Sequence, residues 1–351
     1  MNNLLIRADA TTQMGTGHVM RCLALAQGWQ DHGGRAVFLS LGESDSLKQR
    51  ILHEGFDFIP LESKYNNGSD IEETLRTLEQ LKMSSAKCKT WIAMDGYHFD
   101  AQYQKIIKEA GYKLLWIDDY GHADHYYADI VLNQNIYANH DLYVNREAYT
   151  RLCLGSRYVL LRREFHTWQG WTRQILPAAY KILVTMGGSD PYGTTLKVVQ
   201  ALKKIERQDM EATIIIGPAN PHRRKIEEEI SNVSFSVHIL SSVQDMPEQM
   251  AWADIAITAG GTTCWELAFM GLPSVIIISS DNQQPIAEGL DSAGTSINIG
   301  WQQEAAPNKI AETIQKLLLN AKARKEMCEV GRRMVDGFGL KRLISVCENL
   351  I

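Results

Sequence analysis

No apolar run in the 351-residue chain reaches the roughly 20 residues that a membrane helix requires, so membrane insertion is not expected. The chain also lacks any CxxC pair. Its six cysteines (Cys22, Cys88, Cys153, Cys264, Cys328 and Cys347) are scattered, several within apolar helical patterns. That excludes a disulfide framework and points to reduced, buried thiols in a cytoplasmic protein. The N-terminus enters a strand pattern directly, with no charged-then-apolar leader. Lys and Arg number 36 against 41 Asp and Glu, a net charge of −5 with no basic block. A nucleic-acid partner therefore has no electrostatic support, and an anionic small molecule would have to be held by local donors. Repeats and low-complexity segments are absent too. What the chain does have is length for two domains of about 150 residues each and 45% apolar residues to build two cores.

Two familiar nucleotide-binding fingerprints are missing from the most informative stretch, MGTGHVMRC (14–22). Met20 stands where the dinucleotide motif needs a third glycine, and no phosphate-loop Lys-Ser/Thr follows. Leu4-Leu5-Ile6 precedes it as a strand ending in Arg7-Ala8-Asp9. Val19, Cys22, Leu23, Ala26 and Trp29 follow at helical spacing. Gly15 and Gly17 permit a tight strand-to-helix turn and close approach of a ligand. His18 then sits at the first turn of the helix, over the carboxyl end of a strand, where open α/β sheets bind ligands.

Strands at 35–41, 56–61, 90–95, 113–118 and 128–135 alternate with helices at about 70–83 and 99–110. The pattern breaks over 164–179 and restarts with strands at 181–186, 212–217, 234–240, 254–259 and 272–278. Three helical stretches close the chain between about 304 and 349. This order predicts an α/β protein with two Rossmann-like doubly wound domains, residues 1–170 and 171–351, facing a cleft.

In the second half, AGGTTCWELAFMGLP (259–273) ends a strand in Gly260-Gly261 and opens a helix with Thr262. Backbone N–H groups there suit a diphosphate, and Glu266, one turn on, can accept from vicinal ribose hydroxyls. Gly187-Gly188, followed by Ser189, makes a second anion-cradling turn. Gln283 and Gln284 offer polar groups near a later helix start. His122, Asp124 and His125 could suggest a metal cluster, but the His122/His125 HxxH spacing lacks a third clear ligand, and no metal site is expected.

The Gly-Gly turn, the Gly-Gly-Thr-Thr-x-x-Glu helix and the later Gln-Gln resemble the UDP-sugar half of GT-B enzymes of the MurG type. RADATTQMGTGHVMRCLALA, MDGYHFD (94–100), IDDYGHADHYYADIVLNQN (117–135) and LGSRYVLLRREF (154–165) narrow this. They resemble the UDP-2,4-diacetamido-2,4,6-trideoxy-β-L-altropyranose hydrolases of pseudaminic acid biosynthesis, relatives of SpsG-like spore-coat proteins. The resemblance covers most of residues 4–290. It implies hydrolysis without metal or other cofactor: water attacks C1 of the sugar with inversion and UDP leaves. His18 would be the general base, its imidazole well suited to take the proton of water. Tyr97 and Asp95, at the end of strand 90–95, would reach sugar or water. Asp9 would orient His18 or bind a sugar hydroxyl. Gly17 belongs to the same loop, and Arg162 would contact the substrate. The alternatives are a GT-B glycosyltransferase using a UDP-sugar donor and a nucleotide-sugar-binding protein without turnover.

Overall fold

The computed structural model describes residues 2–10, 16–41, 45–61, 68–83, 88–188, 190–217, 220–241 and 243–350. The chain forms two compact units, Met1–Arg163 with Gly337–Ile351, and Glu164–Asp336.

The first unit runs β1 (Asn3–Ala8), α1 (Gly17–Asp31), β2 (Arg35–Ser40), α2 (Asp45–His53), β3 (Asp57–Pro60), α3 (Ser69–Met83), β4 (Thr90–Asp95), α4 (Ala101–Glu109), β5 (Lys113–Ile117), β6 (Ile130–Asn133) and β7 (Arg151–Leu154). Its seven strands are ordered β3-β2-β1-β4-β5-β6-β7 and every ladder is parallel. Leu4, Leu5 and Ile6 are all fully buried because helices cover both faces of the sheet. Alternation divides them: Leu4 and Ile6 join the core with Val19, Leu23 and Ala26 of α1, and Leu5 joins the opposite core with Leu78 of α3.

After the short α5 (Arg163–His166), the second unit continues with β8 (Lys181–Thr185), α6 (Thr194–Leu202), β9 (Glu211–Ile215), α7 (Arg223–Ile230), β10 (Ser236–Leu240), α8 (Met246–Trp252), β11 (Ile255–Ala259), α9 (Thr263–Phe269), β12 (Ser274–Ile278), α10 (Gln284–Ser292), β13 (Ser296–Trp301), α11 (Pro307–Leu319) and α12 (Ala321–Met334). Its strand order is β10-β9-β8-β11-β12-β13, again all parallel. In both sheets the third strand of the order starts the unit and the chain then crosses to its other side. Each unit therefore has a switch point, between β1 and β4 and between β8 and β11, where strand-end loops part to leave a crevice.

Two expectations need correcting. The sequence places the domain boundary at 170/171 and the whole chain end in the second domain. The first unit instead stops at Arg163, and α13 (Gly339–Glu348) returns to it. Leu340, Leu343, Ile344 and Cys347 line one face of α13 and bury into the core beside α1. Gly28 makes room, since a Cβ there would stand 2.3 Å from Leu340 Cδ2. The irregular stretch after Arg163 is tied to the rest of the second unit by the half-buried Arg173 and the buried Arg324. Arg173 donates to the carbonyls of Met250, Ala253 and Met270, and Arg324 to those of Leu176, Pro177, Leu317 and Leu318. Among the described residues no helix is long and apolar enough to cross a membrane. Cys22, Cys153, Cys264, Cys328 and Cys347 carry free, buried thiols.

Candidate functional site

The register of the first sheet pairs Ala8 with Asp95 and Asp95 with Ile117, so β1, β4 and β5 end level. The residues just past those ends meet the first turn of α1. His18, second residue of α1, bonds through Nδ1 to Asp95 Oδ1 at 2.6 Å. Arg21, three residues on and therefore on the same helix face, donates from Nε and Nη2 to both oxygens of Asp95, at 2.6 and 2.7 Å. The same guanidinium reaches Asp119, two residues beyond β5, from Nη1 at 2.7 Å and Nη2 at 3.2 Å. Asp119 also accepts from the Tyr97 hydroxyl at 2.6 Å and from Asn135 Nδ2 at 2.8 Å. Its carbonyl takes Asn133 Nδ2 at 2.8 Å. The Tyr97 ring stands edge-on to His18 with centroids 4.9 Å apart.

His18, Arg21 and Asp95 are 8%, 5% and 1% exposed, so their charges interact with little help from water. Burial alone would raise the Asp95 carboxyl, but Arg21 and His18 outweigh it and hold it below the usual carboxylate range. Asp119 likewise lies well below that range: burial opposes its charge and Arg21 dominates, with a smaller contribution from the Tyr97 hydrogen bond. Arg21 is raised by the two carboxylates against its own desolvation. Arg21 Nη2 also lies 3.3 Å from His18 Nδ1, but an ionised Asp95 can only accept, and at 2.6 Å the shorter contact places the proton that joins them on Nδ1. That fixes Nε2 as the unprotonated nitrogen of the neutral ring, and Nε2 has no partner among the described residues. Chemically this is an oriented base.

Of the residues singled out from sequence, His18, Asp95 and Tyr97 are brought together, with Gly17 as the first residue of α1. Asp9 does not orient His18. It pairs with the buried Arg7 at 2.6 Å, lies 3.3 Å from His98 Nε2 and accepts the Leu41 N–H at 2.6 Å. Arg7, fully buried, also grips Asp70 and needs both carboxylates. Arg162 is buried at 7% exposure. His122 and His125 part company: His122 bonds Asp118 and the Phe99 carbonyl, and His125 bonds Glu147. Among the described residues no group of three potential ligands could hold a metal.

Arg21, Asp119 and Asn135 are not singled out by the sequence. The one available sign was Arg21 itself, a charged side chain set between the fully buried Val19, Cys22 and Leu23.

In the second unit Gly187 (φ 88°) and Gly188 form an exposed turn after β8. Ser189 lies outside the described residues. Asp190 caps α6, accepting the N–H groups of Thr194 and Thr195 at 2.8 and 2.9 Å, so that helix end already has its carboxylate. The anion-binding capacity of this turn is left to Gly187 and Gly188. Gly217 lets β9 end against the turn, since a Cβ there would fall 1.8 Å from the Gly188 carbonyl oxygen. Across the switch point, Gly260, Gly261 and Thr262 lead from β11 into α9, with Glu266 half-buried in its first turn. Gln283 braces this turn: its Oε1 accepts from Gly260 N–H at 3.1 Å and from Ser279 N–H and hydroxyl at 3.0 Å. Three donors on one atom require the amide oxygen there. Gln284 turns away along α10, donating to Glu288 at 2.8 Å.

Residues 182–334 match the family model of the glycosyltransferase family 28 C-terminal domain. Over 348 residues the chain is 24% identical to the spore coat polysaccharide biosynthesis protein SpsG of Bacillus subtilis, covering 98% of this chain and 97% of that one. It is 27% identical over 326 residues to protein MJ1062 of Methanocaldococcus jannaschii, covering 85% of this chain but only 63% of that relative's length. It is 26% identical over 226 residues to the UDP-2,4-diacetamido-2,4,6-trideoxy-β-L-altropyranose hydrolase of Campylobacter jejuni, covering 64% and 73% of the two chains. Among solved structures it resembles Acinetobacter baumannii MurG, with a TM-score of 0.66 at 15% identity over 99% of this chain and 100% of that one. It also resembles the Staphylococcus aureus MnaA–UDP co-structure, with a TM-score of 0.67 at 12% identity over 100% and 98%. The fold is GT-B.

Proposed function

We propose that this GT-B chain is a nucleotide-sugar hydrolase that releases UDP from UDP-2,4-diacetamido-2,4,6-trideoxy-β-L-altropyranose, as in pseudaminic acid biosynthesis. His18 is its general base. The observation that carries this reading is the Asp95–His18 pair at a switch point: Nδ1 is tied down at 2.6 Å, and Nε2 has no partner among the described residues. Nε2 takes a proton from water as its oxygen attacks C1 of the sugar, the bond from C1 to the diphosphate oxygen breaks, and the configuration at C1 inverts. Asp95 stabilises the imidazolium that forms. The second unit holds UDP. With the Gly260 N–H bound to Gln283, the backbone N–H groups of Gly187-Gly188 and of Gly261-Thr262 face the negative charge that builds on the leaving diphosphate, and Glu266 accepts from the ribose hydroxyls. The match of residues 182–334 to a glycosyltransferase C-terminal domain supports this division of labour.

The likeness to MurG favours one other reading, transfer of the sugar to an acceptor hydroxyl. A base oriented as His18 is would serve either nucleophile. The test is UDP release from the purified protein and the UDP-activated diacetamido sugar, without acceptor. Prompt release is expected, and it should be lost in His18→Ala while UDP still binds. Release that begins only when an acceptor is added would favour the transferase. Binding without release under either condition would remove both enzymatic readings.

A further inference from the structure

Fixing the proton on His18 Nδ1 requires only one ionised carboxylate, yet two are buried around one guanidinium. The second, Asp119, makes no direct bond to His18. Burying a second carboxylate is costly even when it is paired, as Asp119 is by Arg21, Tyr97 and Asn135, and the tautomer alone does not call for it. We propose that Arg21 is a positioning residue for His18, transmitting the fixed geometry of the β5 and β6 strand ends through Asp119 to Asp95 and thence to the imidazole. The inference rests on His18 being the base, and it adds what keeps that base in one tautomer and one orientation.

The geometry is specific to arginine. Nε and Nη2 grip the two oxygens of Asp95 while Nη1 and Nη2 grip those of Asp119, four donor contacts in the plane of one guanidinium. A lysine ammonium offers three donors from a single point and cannot span both carboxylates bidentately. Asp119 is itself pinned by side chains from separate segments, Tyr97 after β4 and Asn135 after β6. The chain Asn135–Asp119–Arg21–Asp95–His18 therefore connects the carboxyl ends of three adjacent strands to the first turn of α1. Charge reinforces geometry. With His18 neutral, Asp95, Asp119 and Arg21 sum to −1, and a proton arriving on the ring brings the group to zero.

The test is the 15N spectrum of the His18 imidazole in the full-length protein, together with steady-state kinetics. In the wild type the neutral ring should carry its proton on Nδ1 alone. Arg21→Lys should give a mixture of tautomers and lower kcat roughly 100-fold, the order expected when a reacting group is misplaced. KM and UDP affinity should stay within about twofold, since nothing in the UDP-holding unit changes. Asp119→Asn, which touches neither His18 nor Asp95, should move the spectrum and kcat in the same direction, and it decides the matter if Arg21→Lys does not fold. A wild-type ring protonated on Nε2 would overturn the proposal. So would a folded variant that keeps the single tautomer and wild-type kcat. The spectrum is read without turnover. A protein that releases no UDP but shows the expected tautomers would refute the hydrolase reading and leave this one standing.

Discussion

Asp95 closes β4 with one oxygen on His18 and both on Arg21, which makes it the carboxylate that joins the imidazole to the guanidinium. Replacing it with asparagine keeps the shape but lets an amide N–H face Nδ1, which favours the wrong tautomer. Asp95→Asn should lower kcat by about four orders of magnitude, the scale of the same change in a Ser-His-Asp triad. KM should be nearly unchanged in a steady-state assay of UDP release, and a fall in kcat under tenfold would contradict the role. Asp119 gives a pH prediction. Its carboxyl lies well below the usual range in the folded state. Because the folded pKa is depressed, its contribution to stability is complete above the unfolded value of about 3.9 and is lost as pH falls towards the folded value. Denaturant unfolding between pH 5 and 2 should thus fall less steeply with acid in Asp119→Asn than in the wild type. Identical slopes would mean that Asp119 titrates alike in both states. The ends of this cluster were legible in sequence, because a histidine after a glycine turn and an aspartate at a strand end stand at positions of known use. Its middle was not. Arginine on a buried helix face breaks the apolar period without announcing a partner, and Asp119 lies 98 residues from Arg21.

Among the elements, those buried on both faces were legible. Strand 90–95 is read from sequence with its observed bounds, since TWIAMD is buried throughout. The elements not foreseen are β7, β13, α8 and the one-turn α5. β7 has four residues and β13 is only partly buried with an irregular register, and both lie at sheet edges where the apolar pattern is diluted by exposure. Helix α13 was legible as a helix but not in its destination. Its apolar stripe at 340, 343, 344 and 347 says that it must bury one face, not against which core. Leu343 is fully buried there. Leu343→Ala should destabilise the first unit by about 2–5 kcal/mol in denaturant melts, with UDP affinity retained. A loss of less than about 1 kcal/mol would mean that α13 is not an integral part of that core.

For the whole molecule, the alternation of strands and helices disclosed two doubly wound sheets, and both have the order that puts strand-end loops at a switch point. The two clusters described above lie at those points, the His18–Asp95–Arg21–Asp119 group after β1 and β4 and the glycine turns after β8 and β11. Fold alone does not name a reaction; the site residues carry that claim, and its core is that water attacks carbon and not phosphorus. The most direct measurement is turnover of the UDP-activated diacetamido sugar in 18O-labelled water, with the products followed by mass spectrometry and the fresh anomer by NMR. The account predicts label in the C1 hydroxyl of the released sugar, inverted configuration and unlabelled UDP. Label on the β-phosphate of UDP, or retained configuration at C1, would contradict it.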